Sequence, residues 1–264
     1  MGVDRGSYGP FSGRKSVRVT SPKAFNRGLI VADISHMPSG ACGVWPAFWM
    51  FGPDWPSSGE IDIIEGVNYQ ETNIVTLHTS PGCSVTLSGS GSYFSALRKD
   101  CSIAGAGCGM QPTDCQTYGD GFNNINGGVY AMEWTSESIS VWFFPRHDIP
   151  MDVTSRLPEP RTWGDPLAKF QGGDGCNIDS HFSNNQIVFD ITFCSDWAGS
   201  PLVWSSNPRC SASGLSCHAY VANNPTDYTD AYWLVNSVNV YKKRGDVEPE
   251  HSVLPSSVAF GPQP

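Results

Sequence analysis

The sequence predicts an all-β chain, an antiparallel sandwich or jelly roll, on three observations. Charged residues make up only 16% while Gly numbers 28 and Pro 20, a balance that favours strands joined by turns over helices. Runs rich in Val, Ile, Phe and Trp recur between clusters of Gly, Pro, Asn and Ser. The spacing of these runs is uneven and no internal repeat is present, so 264 residues fit one large β domain.

Strands are expected first at Ser16–Thr20 and Gly28–Ile34, then, after the break at Pro38-Ser39-Gly40, in the aromatic run Gly43–Phe51. Pro53-Asp54-Trp55-Pro56 delivers the chain to Gly59-Glu60-Ile61-Asp62-Ile63-Ile64-Glu65-Gly66, and Asn73–Thr79 follows as a strand. Residues 80–128 carry Cys83, Cys101, Cys108 and Cys115 in a Gly- and Ser-rich context, and read as a long surface loop pinned by disulfides. Val129–Trp134 and Ser138–Phe144 form a hairpin across Thr135-Ser136-Glu137, and Gln186–Phe193 and Tyr232–Tyr241 complete the set. Residues 1–241 thus read as one domain and residues 242–264, with Lys242-Lys243-Arg244 and a Ser/Pro tail, as a disordered extension.

The chain's formal net charge of −9 and pI near 5.0 exclude a basic nucleic-acid surface. Nine Cys without Cys-x-x-Cys or His-Glu-x-x-His spacing point to disulfides and an oxidising compartment and away from zinc. The odd count leaves one thiol, expected at Cys115. Met1–Pro10 has no apolar signal core, Gly6 stands where a myristoylation motif needs Ser or Thr, and no apolar run reaches membrane-spanning length.

The acidic strand carries the chemistry. Three carboxylates inside an aliphatic run are costly to bury unless they are paired or protonated. Period-two alternation puts Glu60 and Asp62 on one face and Glu65 on the other. A bulge at Ile63-Ile64 restores Glu65 to the face of its partners, with the two Glu backbones roughly 13 Å apart. Two carboxyls with unlike environments, one protonated and one ionised, meet the needs of glycoside hydrolysis, and a separation of about 5 Å gives a retaining double displacement. Asp62, between them, is placed to orient and tune both. The competing uses are a calcium site, which needs six to eight oxygens from several loops, and a purely structural row.

Gly59–Asn68, preceded by Trp45-Pro46-Ala47-Phe48-Trp49, resembles the bulged Glu-x-Asp-x-x-Glu signature of glycoside hydrolase family 16, and more closely its fungal laminarinase-type endo-1,3(4)-β-glucanases. The likeness extends from about Gly13 to Tyr241 through Thr76–Thr79, Val141–Arg146 and Phe193–Gly199. It implies a concanavalin-like jelly roll with a concave glucan cleft, Glu60 as nucleophile, Glu65 as acid/base and Asp62 as assistant. It also implies sugar stacking by Trp49, Trp55 and Trp197, and an acceptor-side contact by His78. A Trp of a β-sandwich belongs more often to the core, the place expected here for Trp45, and His78 has a core alternative of the same kind. Trp55, in a polar loop just before the acids, is the strongest candidate for stacking.

The implied partner is a β-1,3- or mixed-linkage glucan. No cofactor and no metal are expected, nor nucleic acid or membrane, and the chain is expected to be a secreted monomer. Relatives usually carry a signal peptide and first strands before the match at Gly13, so an unpaired sheet edge is expected. The rival readings are a transglycosylase of the same family and a catalytically silent glucan-binding module.

Overall fold

The computed structural model describes residues 1–9, 13–90, 94–242 and 256–257. Among the described residues, fourteen strands form two antiparallel sheets: β1 Val17–Phe25, β2 Gly28–His36, β3 Val44–Phe51, β4 Glu60–Glu65, β5 Val75–His78, β6 Thr86–Ser88, β7 Phe94–Arg98, β8 Cys108–Pro112, β9 Gly128–Trp134, β10 Ser138–Pro145, β11 Ala168–Gln171, β12 Asn185–Phe193, β13 Leu234–Tyr241 and β14 Ser256–Ser257. One sheet runs β1-β12-β3-β4-β5-β8-β7 and the other β14-β13-β2-β9-β10-β11-β6. The acidic strand β4 lies fourth of seven in the first, between β3 and β5, its neighbours in sequence.

Alternation decides which side of that sheet faces the core. Phe48 and Met50 of β3 and Ile61 and Ile64 of β4 are at most 1% exposed and join Ile30, Ile34, Met132 and Val141 of the second sheet in one hydrophobic cluster. Phe48 stacks on Phe189 of β12 at 4.3 Å between centroids, and Trp233 meets Phe189 edge-on at 5.3 Å. The opposite face of the first sheet is left to polar and aromatic side chains. On the second sheet, Leu29, Val31, Val129, Ala131 and Trp142 form a smaller apolar cluster packed under Ile149, Val153 and Trp163. Both faces are therefore covered over part of this sheet, and β9 and β10 read as nearly unbroken apolar runs.

The hairpin β9–β10 forms across the expected turn, with Trp134 paired to Ile139 and Thr135 and Ser138 hydrogen-bonded to each other. Residues 80–128 differ from expectation: β6, β7, β8 and a short helix, Gly119–Asn124, lie there, and β8 continues the first sheet from β5. These strands are three to five residues long, too short for alternation to register. Disulfides Cys101–Cys108 and Cys83–Cys176 pin the region, while Cys194–Cys217 closes the segment 194–217 on itself and Cys42–Cys210 fastens it to the rest. Cys115 is free and exposed, as expected. The extension foreseen beyond Tyr241 lies almost wholly outside the described residues, Lys242 and β14 excepted. No helix among the described residues is long and apolar enough to cross a membrane.

Candidate active site

Gly59 opens β4 with φ +74°, and a Cβ there would lie 2.3 Å from Phe182 Cδ1 and 2.5 Å from the His181 carbonyl oxygen. Only glycine fits this turn. β4 then pairs with β3 so that Glu60 opposes Phe51, Asp62 opposes Trp49 and Glu65 opposes Ala47. Phe51, Trp49 and Ala47 are two residues apart and share a face. The register slips between Trp49 and Phe48, where Ile63 has no partner. That extra residue is the expected bulge, and it carries Glu65 to the face of Glu60 and Asp62.

Opposite Glu60 on β5 is His78, and opposite Asp62 is Thr76. On β12, Asp190 opposes Ala47 and Val188 opposes Trp49, while Arg18 of β1 opposes Asp190. The row of acids thus sits at the centre of a polar and aromatic sheet face, with neighbours supplied by four strands.

The three acids have unlike surroundings. Asp62 is 1% exposed and Glu65 9%, whereas Glu60 is half-buried. Burial pushes Asp62 well above the usual carboxylate range, and the neighbouring charges of Glu60 and Asp190 push it the same way. Burial likewise raises Glu65, assisted by the charge of Asp62, while the Trp45 indole N–H, donated to Glu65 Oε1 at 2.9 Å, stabilises the ionised form. Trp55 donates its indole N–H to Glu60 Oε2. His78 Nε2 stands 3.4 Å from Asp62 Oδ2, an ion-pair distance without hydrogen-bond alignment. A buried acid that holds its proton beside a more accessible carboxylate is the combination that acid/base and nucleophilic chemistry require.

Trp55 is 56% exposed, its ring open to solvent while its N–H is held by Glu60. Trp49 is half-buried on the acid face, with the Arg18 guanidinium 4.8 Å over its ring. Trp197 follows Cys194 and Ser195, which hold φ +57° and +51°. This backbone conformation costs on the order of 1–2 kcal/mol per residue outside glycine. The Cys194–Cys217 disulfide and the bond from Cys194 N to Gly43 O hold it there. Trp197 meets Trp45 edge-on at 5.4 Å. Trp45, expected in the core, belongs instead to the site, because Trp45, Ala47, Trp49 and Phe51 share parity on β3. That parity was available in the sequence.

Asp190 was also overlooked. It is an acid inside the apolar run of β12, pushed up to about 7 mainly by burial, with Arg18 and Trp49 opposing. Its signal was the one that marked β4. The groups best placed to meet a cation, Glu60, Asp62 and His78, bring ligand atoms within 4.8 Å of one another. Two carboxylates and an imidazole are far from the six to eight oxygens of a calcium site.

Residues 1–241 match a family described as the XgeA-like, catalytic GH16 domain. An endo-1,3(4)-β-glucanase of Arthroderma benhamiae is 45% identical over 92% of this chain and 54% of its own length, so the chain spans about half of that relative. Among solved structures, laminarinase 16A of Phanerochaete chrysosporium, with 6-O-glucosyl-laminaritriose in donor and acceptor sites, superposes with a TM-score of 0.81 at 39% identity, over 92% of this chain and 82% of that one. An elongating family 16 β-1,3-glucosyltransferase does so with a TM-score of 0.79 at 40% identity and the same coverage.

Proposed function

Since the chain belongs to glycoside hydrolase family 16, we propose that it is a retaining endo-β-glucanase that cleaves β-1,3- or mixed β-1,3(4)-linked glucan. The observation that carries the mechanism is the bulged row of three acids with unlike environments. Glu65, buried and raised, gives its proton to the glycosidic oxygen as the Glu60 carboxylate attacks the anomeric carbon. The C–O bond to the leaving chain breaks, and a glycosyl ester forms on Glu60. Glu65, now ionised, takes a proton from water, which displaces Glu60 and restores both acids with net retention. Asp62, deep between them, holds Glu60 in place and modulates both charges.

Trp49, Trp55 and Trp197 are the rings that would stack on sugar, Trp55 being the most exposed of them, and His78 borders the acids at β5. The partner is a glucan chain, and four disulfides suit work outside the cell.

Proton NMR of laminarin digestion tests this reading: β-configured reducing ends are expected first, before mutarotation, and α-configured ends first would refute it. The elongating glucosyltransferase among the structural relatives favours a second reading, in which a sugar hydroxyl replaces water. Oligosaccharides longer than the substrate supplied would identify it. A binding module without turnover is disfavoured by the complete row of acids.

A further inference from the structure

The bulge that brings Glu65 into the row leaves a gap in the hydrogen-bond ladder. Pairing of β4 with β5 covers Glu60, Ile61 and Asp62 and stops there. An unpaired buried peptide group costs roughly 1–3 kcal/mol, so the groups beyond Asp62 need partners from elsewhere.

Asn73 supplies them. Its side chain is fully buried, its Nδ2 donates to the Ile63 carbonyl oxygen at 2.8 Å, and its Oδ1 accepts from the Glu65 N–H at 2.9 Å. One amide thereby spans the bulge, bonding the extra residue on one side and the acid on the other. The next residue, Ile74, donates its backbone N–H to the Glu65 carbonyl oxygen at 3.1 Å, so both peptide groups of Glu65 are held by two consecutive residues. Asn73 is itself fixed, because its backbone N–H donates to Thr117 Oγ1 at 3.1 Å and Thr117 Oγ1 donates to the Asp114 carbonyl oxygen at 2.6 Å.

No other residue type of this size offers a donor and an acceptor in that geometry. Asp lacks the donor for Ile63, Leu lacks both groups, and Ser is too short to span the gap.

We propose that Asn73 is the positioning residue for Glu65: its side-chain amide sets the bulge and thereby the reach of the acid to the glycosidic oxygen. This rests on the assignment of Glu65 as acid/base made above. A shift of about 1 Å in such a group costs on the order of 100-fold in rate.

The test compares two substrates in the full chain. Laminarin has a poor leaving group that needs the proton of Glu65, whereas 2,4-dinitrophenyl β-laminaribioside releases a phenolate that needs none, and kcat/KM reports the glycosylation step for both. Asn73→Ala is expected to lower kcat/KM on laminarin about 100-fold, mostly in kcat, and to lower it far less on the aryl substrate. Equal losses on both substrates would show a general structural role, and no loss on laminarin would remove any role; either overturns the proposal.

If Asn73→Ala does not fold, Asn73→Asp carries the same comparison, since it keeps the shape and the acceptor for Glu65 N–H. Glu65→Ala is measured in parallel and should show the same pattern more strongly. If Glu65→Ala spares laminarin, the acid assignment has failed and the proposal falls with it. If Glu65→Ala shows the pattern and Asn73→Ala does not, the proposal alone is overturned.

Discussion

The indole N–H of Trp45 donates to Glu65 Oε1 at 2.9 Å, so the acid that burial keeps protonated is also bound to a donor that stabilises its ionised form. The two influences oppose each other, and their balance places the pKa of the acid.

Trp45→Phe removes the donor and keeps the ring. Hydrogen bonds to charged groups contribute about 1.5–3 kcal/mol, and 1.36 kcal/mol corresponds to one pH unit. Losing the bond disfavours ionised Glu65 and raises its pKa. The high-pH limb of kcat/KM on laminarin should therefore move up by about one to two pH units, while an unmoved limb would mean that Trp45 does not tune the acid.

Asp190 predicts a stability change with pH. Its carboxyl is raised in the folded chain to about 7, chiefly by burial, and lies near 3.9 when unfolded. Between those values the folded state holds a proton that the unfolded state lacks, so stability from this group is full below about pH 4 and is lost as pH rises towards 7. Asp62 and Glu65 act in the same direction. Asp190→Asn should raise stability at pH 8 by roughly 2–4 kcal/mol and leave it little changed at pH 3, as read by thermal melts at the two pH values. A larger gain at pH 3 would reverse the sign of the argument.

Trp55 separates binding from stability. Because it is 56% exposed, Trp55→Ala leaves no cavity and should shift the melting temperature little. If the ring stacks on sugar, loss of about 1–2 kcal/mol of contact should raise KM for laminari-oligosaccharides roughly 5- to 30-fold. An unchanged KM would place the stacking elsewhere.

The site was legible in the sequence where a residue contradicted its surroundings. Three acids in the aliphatic β4 demanded an explanation, and the misplaced parity of Glu65 located the bulge at Ile63. The same two signals, an acid in an apolar run and shared parity on a strand, also marked Asp190 and Trp45. Asn73 was not legible, because a short polar residue at the start of a strand reads as a turn, and its partners Ile63 and Glu65 are defined only once the bulge exists. The strands β6 to β8 were missed because their pairing is long-range and their length three to five residues. The helices at Ser195–Ala198, Pro201–Ser206, Pro208–Ser211 and Cys217–Asn223 were missed because none exceeds two turns, too few for a 3.6-residue period to register. Their Ser200, Asn207 and Ser216 caps were the signal available.

In the proposed mechanism Glu60 forms a covalent bond to the sugar while Glu65 supplies and retrieves the proton. Incubation with the 2-deoxy-2-fluoro analogue of 2,4-dinitrophenyl β-laminaribioside should trap the glycosyl-enzyme, since the fluorine destabilises the charged transition states and the activated leaving group still permits the first step. Peptide mass spectrometry should then find the fluoro-disaccharide on Glu60. A label on Glu65 or Asp62, or turnover of this probe with no label at all, would contradict it.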